Sequence, residues 1–171
     1  MFRIKQADGL DAPKIVALLN TAYRGEESKK GWTSEADLLL GEVRTDVESV
    51  NRILADAASV ILKCVTETEE IIGCVHLKKI QDHLYLGMLS VMPTLQGKGI
   101  GKMFLSRAEE YAVEVGCTAI QIQVISVRTE LNDWYTRHGF VPTGERFPFA
   151  EDEKFGRKTQ PLEFMVMEKK L

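Results

Sequence analysis

Leu95-Gln96-Gly97-Lys98-Gly99-Ile100-Gly101-Lys102-Met103 decides how the rest of this chain is read. Just before it runs a short apolar segment, Leu84-Tyr85-Leu86-Gly87-Met88-Leu89-Ser90-Val91, halted by Pro93. Behind it Ile100, Met103, Phe104, Ala108, Tyr111, Ala112 and Val115 recur at helical spacing. Lys102, Ser106, Glu109, Glu110 and Glu114 fall on the opposite face. The stretch therefore turns a strand into an amphipathic helix. Glycines at alternate positions let main-chain N–H groups converge where a Cβ would obstruct them. The helix that opens next adds unpaired donors and the positive end of its dipole. Such a turn suits a phosphate or pyrophosphate.

Two common phosphate patterns fail on this stretch. A P-loop, Gly-x-x-x-x-Gly-Lys-Ser/Thr, would need glycine where Gln96 stands and a hydroxyl where Met103 stands. The dinucleotide pattern Gly-x-Gly-x-x-Gly ends on Lys102 or Phe104 in its two registers, and the βαβ surroundings are missing. What remains is Gln-x-x-Gly-x-Gly after an apolar strand ending in x-Pro. This resembles the acyl-CoA loop of the GNAT (Gcn5-related) N-acetyltransferases, which holds the pyrophosphate of coenzyme A. A second segment, Glu130-Leu131-Asn132-Asp133-Trp134-Tyr135-Thr136-Arg137-His138-Gly139-Phe140, reads as a short helix ended by Gly139, with Phe140 opening a strand. It is similar to the family's second signature, a Tyr followed by a helix stop and Gly-Phe. Many members carry Asn seven residues before that Tyr; here the place is Arg128. A guanidinium there reaches phosphate or carbonyl oxygens by different chemistry.

By residue-to-residue carry-over, the resemblance implies acetyl-CoA as cosubstrate. It would be held by Gln96, Gly97, Lys98, Gly99, Ile100, Gly101 and Lys102, with Arg128 beside them. Leu89, Ser90 and Val91 would flank the acetyl group and pantetheine, where two central parallel strands (84–92 and 119–125) splay apart. A main-chain N–H among those three is the candidate donor to the carbonyl oxygen as it gains charge. Tyr135 is the candidate acid, since a phenol of pKa about 10 is protonated at neutral pH and can donate to a departing thiolate.

Composition sets the limits. With 171 residues, 44% of them apolar and 27% charged, the chain is long enough for one domain with a real core. A net charge of −3 argues against nucleic acid as a partner. No apolar run approaches the length of a membrane span, and the start Met1-Phe2-Arg3-Ile4-Lys5-Gln6 alternates like a strand, so a cytoplasmic protein is expected. Cys64, Cys74 and Cys117 sit in strand-like apolar settings without disulfide or zinc spacing, and the three histidines are scattered. No metal is expected.

The remaining pattern gives a strand at 2–7 and a helix from Asp11-Pro13 carrying Ile15, Leu18, Leu19 and Ala22. A loop is expected over 23–33. Ser34 with Asp37 and Thr45 with Glu48 resemble capping boxes, the second leading a helix through Val47, Val50, Leu54 and Ala57. Strands at about 59–66, 71–79 and 84–92 form a meander. After the long helix come strands near 118–124 and 140–143, a polar excursion over 144–160, and a closing strand at 162–168. This is an α+β order: a single mixed sheet, splayed at its centre and flanked by helices, as the resemblance also implies.

The acceptor would be a primary amine of a small molecule, an amino-acid derivative or a peptide, attacking directly. The loops at 23–33 and 144–160 would recognise it. Both loops carry aromatics (Tyr23, Trp32, Phe147, Phe149 and Phe155). Glu26, Glu27, Glu151, Asp152 and Glu153 would attract a cation, but Lys29, Lys30, Lys154, Arg157 and Lys158 interleave, and Arg24 or Arg44 would instead clamp a carboxylate. Candidate bases are His76, Glu26, Glu35 and Asp46. A non-catalytic acyl-CoA sensor or interaction module would share the loop and strand edge, and the chain would act as a monomer or homodimer.

Overall fold

β-Branched and aromatic runs supply the strands, and capped amphipathic runs supply the helices. The computed structural model describes residues 1–150 and 152–171. In chain order the first elements are β1 (Arg3–Gln6), α1 (Ala12–Tyr23), α2 (Gly25–Ser28), β2 (Leu39–Leu40) and α3 (Val47–Ala55). The meander is β3 (Ser59–Val65), β4 (Ile71–Ile80) and β5 (His83–Val91). There follow α4 (Ile100–Glu114), β6 (Ala119–Ile125), α5 (Thr129–Arg137), β7 (Val141–Pro148), β8 (Arg157–Lys158) and β9 (Glu163–Lys170).

Seven strands form one mixed sheet in the order β1-β3-β4-β5-β6-β9-β7, and β2 pairs with β8 in a separate two-stranded ladder. Every neighbour in the large sheet is antiparallel except β5 and β6. One side is covered by α1 and α3, where Ile15, Leu18, Leu19 and Val50 pack on Ile61, Val65, Ile71 and Cys74. On the other side α4 sets Ile100, Phe104, Leu105 and Ala108 against Leu62, Ile72, Val75, Leu84 and Leu86. Phe104 is fully buried over Gly73, where an added Cβ would come within 2.9 Å of its ring. Truncating such a ring typically costs about 3–5 kcal/mol.

The parallel pair is short for a reason that lies in β5. It runs only through His83↔Ala119, Leu84↔Ile120 and Tyr85↔Gln121. On its other edge β5 carries a bulge: Gly87 pairs with His76 and Ser90 with Cys74, so Met88 and Leu89 together oppose one residue of β4. Met88 takes a left-handed φ of 55° to allow this. A bulge bends and twists its strand. Beyond Tyr85, β5 thus leaves β6, while β6 stays paired with β9 from Ala119 to Ile125. The sheet splays at its centre.

Three local features differ from the sequence expectations. The loop over 23–33 contains one helical turn, α2, and α1 continues through Tyr23. The cap of α3 is Asp46, whose carboxylate accepts from Ser49 N–H at 2.8 Å, rather than Thr45 one place earlier. No helix follows Ser34. A single turn closes on the Glu35 carbonyl, and Leu39 is then buried with Ile125 and Leu162 while β2 pairs with β8.

Candidate active site

The splay opens beside the start of α4, which places two kinds of binding surface together. Gly97 and Gly99 adopt φ of 80° and 83°, and Gly99 is the N-cap of α4. No side chain caps the helix, and its first internal bond comes from Met103 N–H to the Gly99 carbonyl. The N–H groups of Ile100, Gly101 and Lys102 are left without helical partners. A Cβ built on Gly97 or Gly99 would meet nothing within 4 Å, so the turn faces open space. This donor set suits a diphosphate.

From that turn a cleft of about 310 Å³ runs along the freed edge of β5. Leu89, Ser90, Val91, Gln96, Gly97, Gly99, Ile100, Gly101 and Lys102 line one wall, and Leu131, Trp134, Tyr135 and His138 of α5 and its end line the other. Trp32 and Thr33 roof it. Gln96 fastens that roof: its carbonyl oxygen accepts from Trp32 N–H at 2.8 Å, and its amide donates to Thr33 Oγ1 at 2.8 Å and to the Val91 carbonyl at 3.1 Å. Trp32 lies 6.2 Å from Trp134, centroid to centroid. Trp134 in turn would stand 3.1 Å from a Cβ on Gly101, so that glycine keeps α4 and α5 close.

Tyr135 is fixed by the end of its own helix. Gly139, at φ 95°, donates to the Thr136 carbonyl at 3.1 Å, and Phe140 N–H donates to the Tyr135 carbonyl at 3.1 Å. This is the Schellman closure, with its usual apolar contact: the buried Phe140 ring meets the Tyr135 ring edge-on at 5.4 Å. The Gly-Phe pair thereby aims the phenol into the cleft. Tyr135 is 5% exposed, its hydroxyl makes no hydrogen bond among the described residues, and burial raises its pKa well above 10. A second phenol, Tyr23 at the end of α1, donates its hydroxyl to the Leu89 carbonyl at the bulge. Burial pushes its pKa up to about 12.

A family model described as the acetyltransferase (GNAT) family matches residues 15–140. The chain belongs to the GNAT acetyltransferases. Among solved GNAT-type structures it is similar to the ribosomal-protein-alanine N-acetyltransferase from Brucella melitensis (19% identity, 99% of each chain covered, TM-score 0.72). It is also similar to the PaiA N-acetyltransferase from Thermoplasma acidophilum in complex with coenzyme A (18% identity, 100% of this chain and 99% of that one, TM-score 0.70). An acetyltransferase of the GNAT family from Streptococcus pneumoniae shares 19% identity over the full length of both chains, with a TM-score of 0.68. At these identities the likeness shows the fold alone. No curated protein matches the sequence closely enough to count as a relative. GNAT membership supports acyl-CoA-dependent N-acetyl transfer in general terms and leaves the acceptor open.

Not every residue singled out in the sequence reaches this GNAT cleft. Lys98 is exposed and does not line it. Arg128 donates to the Thr33 carbonyl and lines a smaller recess on the far side of the splay. Arg24 is sequestered at 4% exposure, donating to the carbonyls of Val43 (3.2 Å) and Phe155, so it is a strut between loops. Glu26 points outward and pairs with Lys29 at 3.2 Å. Glu151 lies outside the described residues.

The candidate bases disperse as well. His76 is buried on β4 against Ser59 Oγ at 3.0 Å, and burial pulls its pKa down to about 4. Asp46 is consumed as a cap and as the partner of Lys154, whose hydrogen bond lowers its pKa strongly. Glu35 faces the far recess between two arginines. Trp134 lines the cleft without any sequence expectation, and Tyr23, expected only as an aromatic of the acceptor loop, reaches the β5 bulge from the end of α1. The signal for Tyr23 was present, since it continues the Ile15, Leu19 stripe at four-residue spacing.

No helix among the described residues is long and apolar enough to cross a membrane. Among them, no three His, Cys, Asp or Glu side chains converge as metal ligands would.

Proposed function

We propose that this chain transfers acetyl from acetyl-CoA directly to a primary amine of a small molecule, an amino-acid derivative or a peptide. One observation carries the reading: the uncapped start of α4, the freed edge of β5 and an uncommitted buried phenol share one cleft. The open turn at Gly97 and Gly99 fits the coenzyme's diphosphate, and the unpaired edge of β5 fits the amides of its pantetheine arm. When bound, acetyl-CoA supplies an activated thioester. Gly97 to Lys102 grip the diphosphate by main-chain donors. An N–H among Leu89, Ser90 and Val91 donates to the carbonyl oxygen as charge develops, a contact whose loss typically costs about 10²–10³ in rate.

The amine nitrogen bonds to the acetyl carbon as the C–S bond breaks; Tyr135 donates to the departing sulfur, and the proton released by the amine restores the phenol. The Tyr23 proton is committed to the Leu89 carbonyl, whereas that of Tyr135 meets no acceptor among the described residues. Its raised pKa does not disqualify it, because the same burial penalises a thiolate formed beside it. Tyr23 holds the bulge in register. The amine arrives from the far side of the splay, and no side chain is required as a nucleophile.

The test is thiol release from acetyl-CoA with a panel of amino acids, polyamines, aminoglycosides and short peptides. The expected result is turnover with at least one acceptor, reduced tenfold or more in Tyr135→Phe. Tight coenzyme binding without thiol release from any acceptor would leave only an acyl-CoA-binding module.

A further inference from the structure

Across the splay from the coenzyme cleft lies a recess of about 70 Å³. Tyr23, Leu89, Leu131 and Tyr135 line both spaces, so the two meet where a thioester would sit. The walls of the recess come from distant segments: Glu35 from the loop after α2, Arg44 from the loop after β2, Arg128 and Leu131 from the N-cap and first turn of α5, and Phe164 from β9.

Its charges do not balance. Arg44 and Arg128 line the recess with Glu35, which is also shared with Arg24, so positive charge is in excess there within a chain whose net charge is −3. Glu35 is 6% exposed and already flanked, with Arg44 Nε at 3.3 Å and Arg24 Nε at 3.9 Å from the same oxygen. The Arg44 guanidinium is held over the Tyr23 ring, 4.3 Å from its centroid. Among the described residues its two terminal nitrogens meet no acceptor. Arg128 spends one terminal nitrogen on the Thr33 carbonyl and leaves its other terminal nitrogen and Nε without one. A guanidinium offers five donors in a fixed fork, and the Arg44 side chain keeps 25% of its surface exposed, so its terminal donors stay open to a ligand. A carboxylate accepts two of them in parallel and brings a negative charge to the excess of positive.

We infer that this recess binds the carboxylate of the acceptor, so that the amine acetylated is that of a free amino acid or a close analogue. This rests on the proposed transfer reaction and narrows its substrate class, against amines that lack an acid and against peptide N-termini, whose α-carboxyl is an amide. Arg44 supplies the fork, Arg128 adds a second donor, and Glu35 orients Arg44 through its Nε.

The experiment pairs each amino acid with its own α-carboxamide and measures two things on the full chain: thiol release from acetyl-CoA, and thermal protection in the presence of coenzyme A. At least one free acid is expected to exceed its amide tenfold or more in kcat/KM, as expected of a site built around a polar group. Arg44→Gln should collapse that ratio to within about threefold of unity, and Arg44→Lys should fall between, having charge without the fork. If Arg44→Gln does not fold, the same ratio in Arg128→Gln decides. Protection by acids over amides, lost in the variant, supports the recess even with no turnover, in which case the transferase reading is what fails. Turnover of amides and acids at equal rates, a ratio unmoved by the variants, or no discrimination in either readout overturns the inference.

Discussion

On one side of the splay the cleft is made largely of main chain. Gly97, Gly99 and the first turn of α4 are consecutive in sequence, and their donors are fixed by backbone angles. On the other side the recess is made of side chains, brought together from residues 23, 35, 44, 128 and 164. The first surface must present the same donors whatever the acceptor. The second holds whatever its particular side chains select. On the proposed reading, the first surface carries the chemistry common to the family and the second the specificity of this member.

The comparison breaks most readily at the turn. Gly99→Val forces a β-branched residue to φ 83°, a left-handed conformation that costs roughly 1–2 kcal/mol in ordinary residues and more in branched ones. The misaligned donors should weaken coenzyme A binding by about ten- to a hundredfold in calorimetry, with the far-UV spectrum retained. Unaltered affinity would mean that the turn is no grip. Next is Tyr135→Phe, where turnover should fall at least about tenfold while coenzyme affinity stays within about twofold. A parallel loss of affinity would make Tyr135 a binding residue and not an acid.

Tyr23→Phe sharpens the contrast between the two phenols. It removes the donor to the Leu89 carbonyl, so a stability loss of about 1 kcal/mol is expected by denaturant titration. Turnover should fall by only a few-fold, less than in Tyr135→Phe. The reverse ranking would exchange their roles. The smallest effect concerns His76, away from both surfaces. Burial depresses its folded pKa to about 4 from 6.5, so its neutral form contributes fully above about 6.5 and is lost as pH falls from there through 4. The melting temperature of the native chain should drop more steeply over that window than that of His76→Gln, with turnover at pH 7 unaffected. Parallel curves would contradict a buried neutral imidazole.

The division between main chain and side chain also explains what the sequence disclosed. Gln96 to Lys102 are contiguous, and their glycines register directly a backbone that only glycine adopts without strain. Gly139-Phe140 is equally local, because the closure of α5 needs a residue at positive φ followed by an apolar contact. Both were legible, as was the order of strands and helices around them. Arg24 was misread as a clamp because nothing near it in sequence discloses the carbonyls of Val43 and Phe155 that enclose it. Arg128 was assigned to the coenzyme, yet its partner is the carbonyl of Thr33, 95 residues away.

Strand β7 shows a different kind of loss. Val141–Pro148 is exposed at every residue and extends into what was expected to be irregular chain. It is an edge strand against β9, with a bulge between Pro142 and Arg146 and Gly144 at φ 93°. Neither face is buried, so no two-residue alternation of apolar side chains marks it. The cap at Asp46 rather than Thr45 is a shift between adjacent residues that both cap well, decided by which oxygen reaches Ser49 N–H.

The grip proposed for Gly97 to Lys102 is tested most directly by titrating the native chain and Gly99→Val with coenzyme A and, separately, with pantetheine, which lacks the diphosphate and the adenosine 3′-phosphate. The expected result is coenzyme A binding at least about a hundredfold tighter than pantetheine in the native chain, a difference of roughly 2.7 kcal/mol, with most of that preference lost in Gly99→Val. Equal affinities, or no binding of coenzyme A, would contradict it.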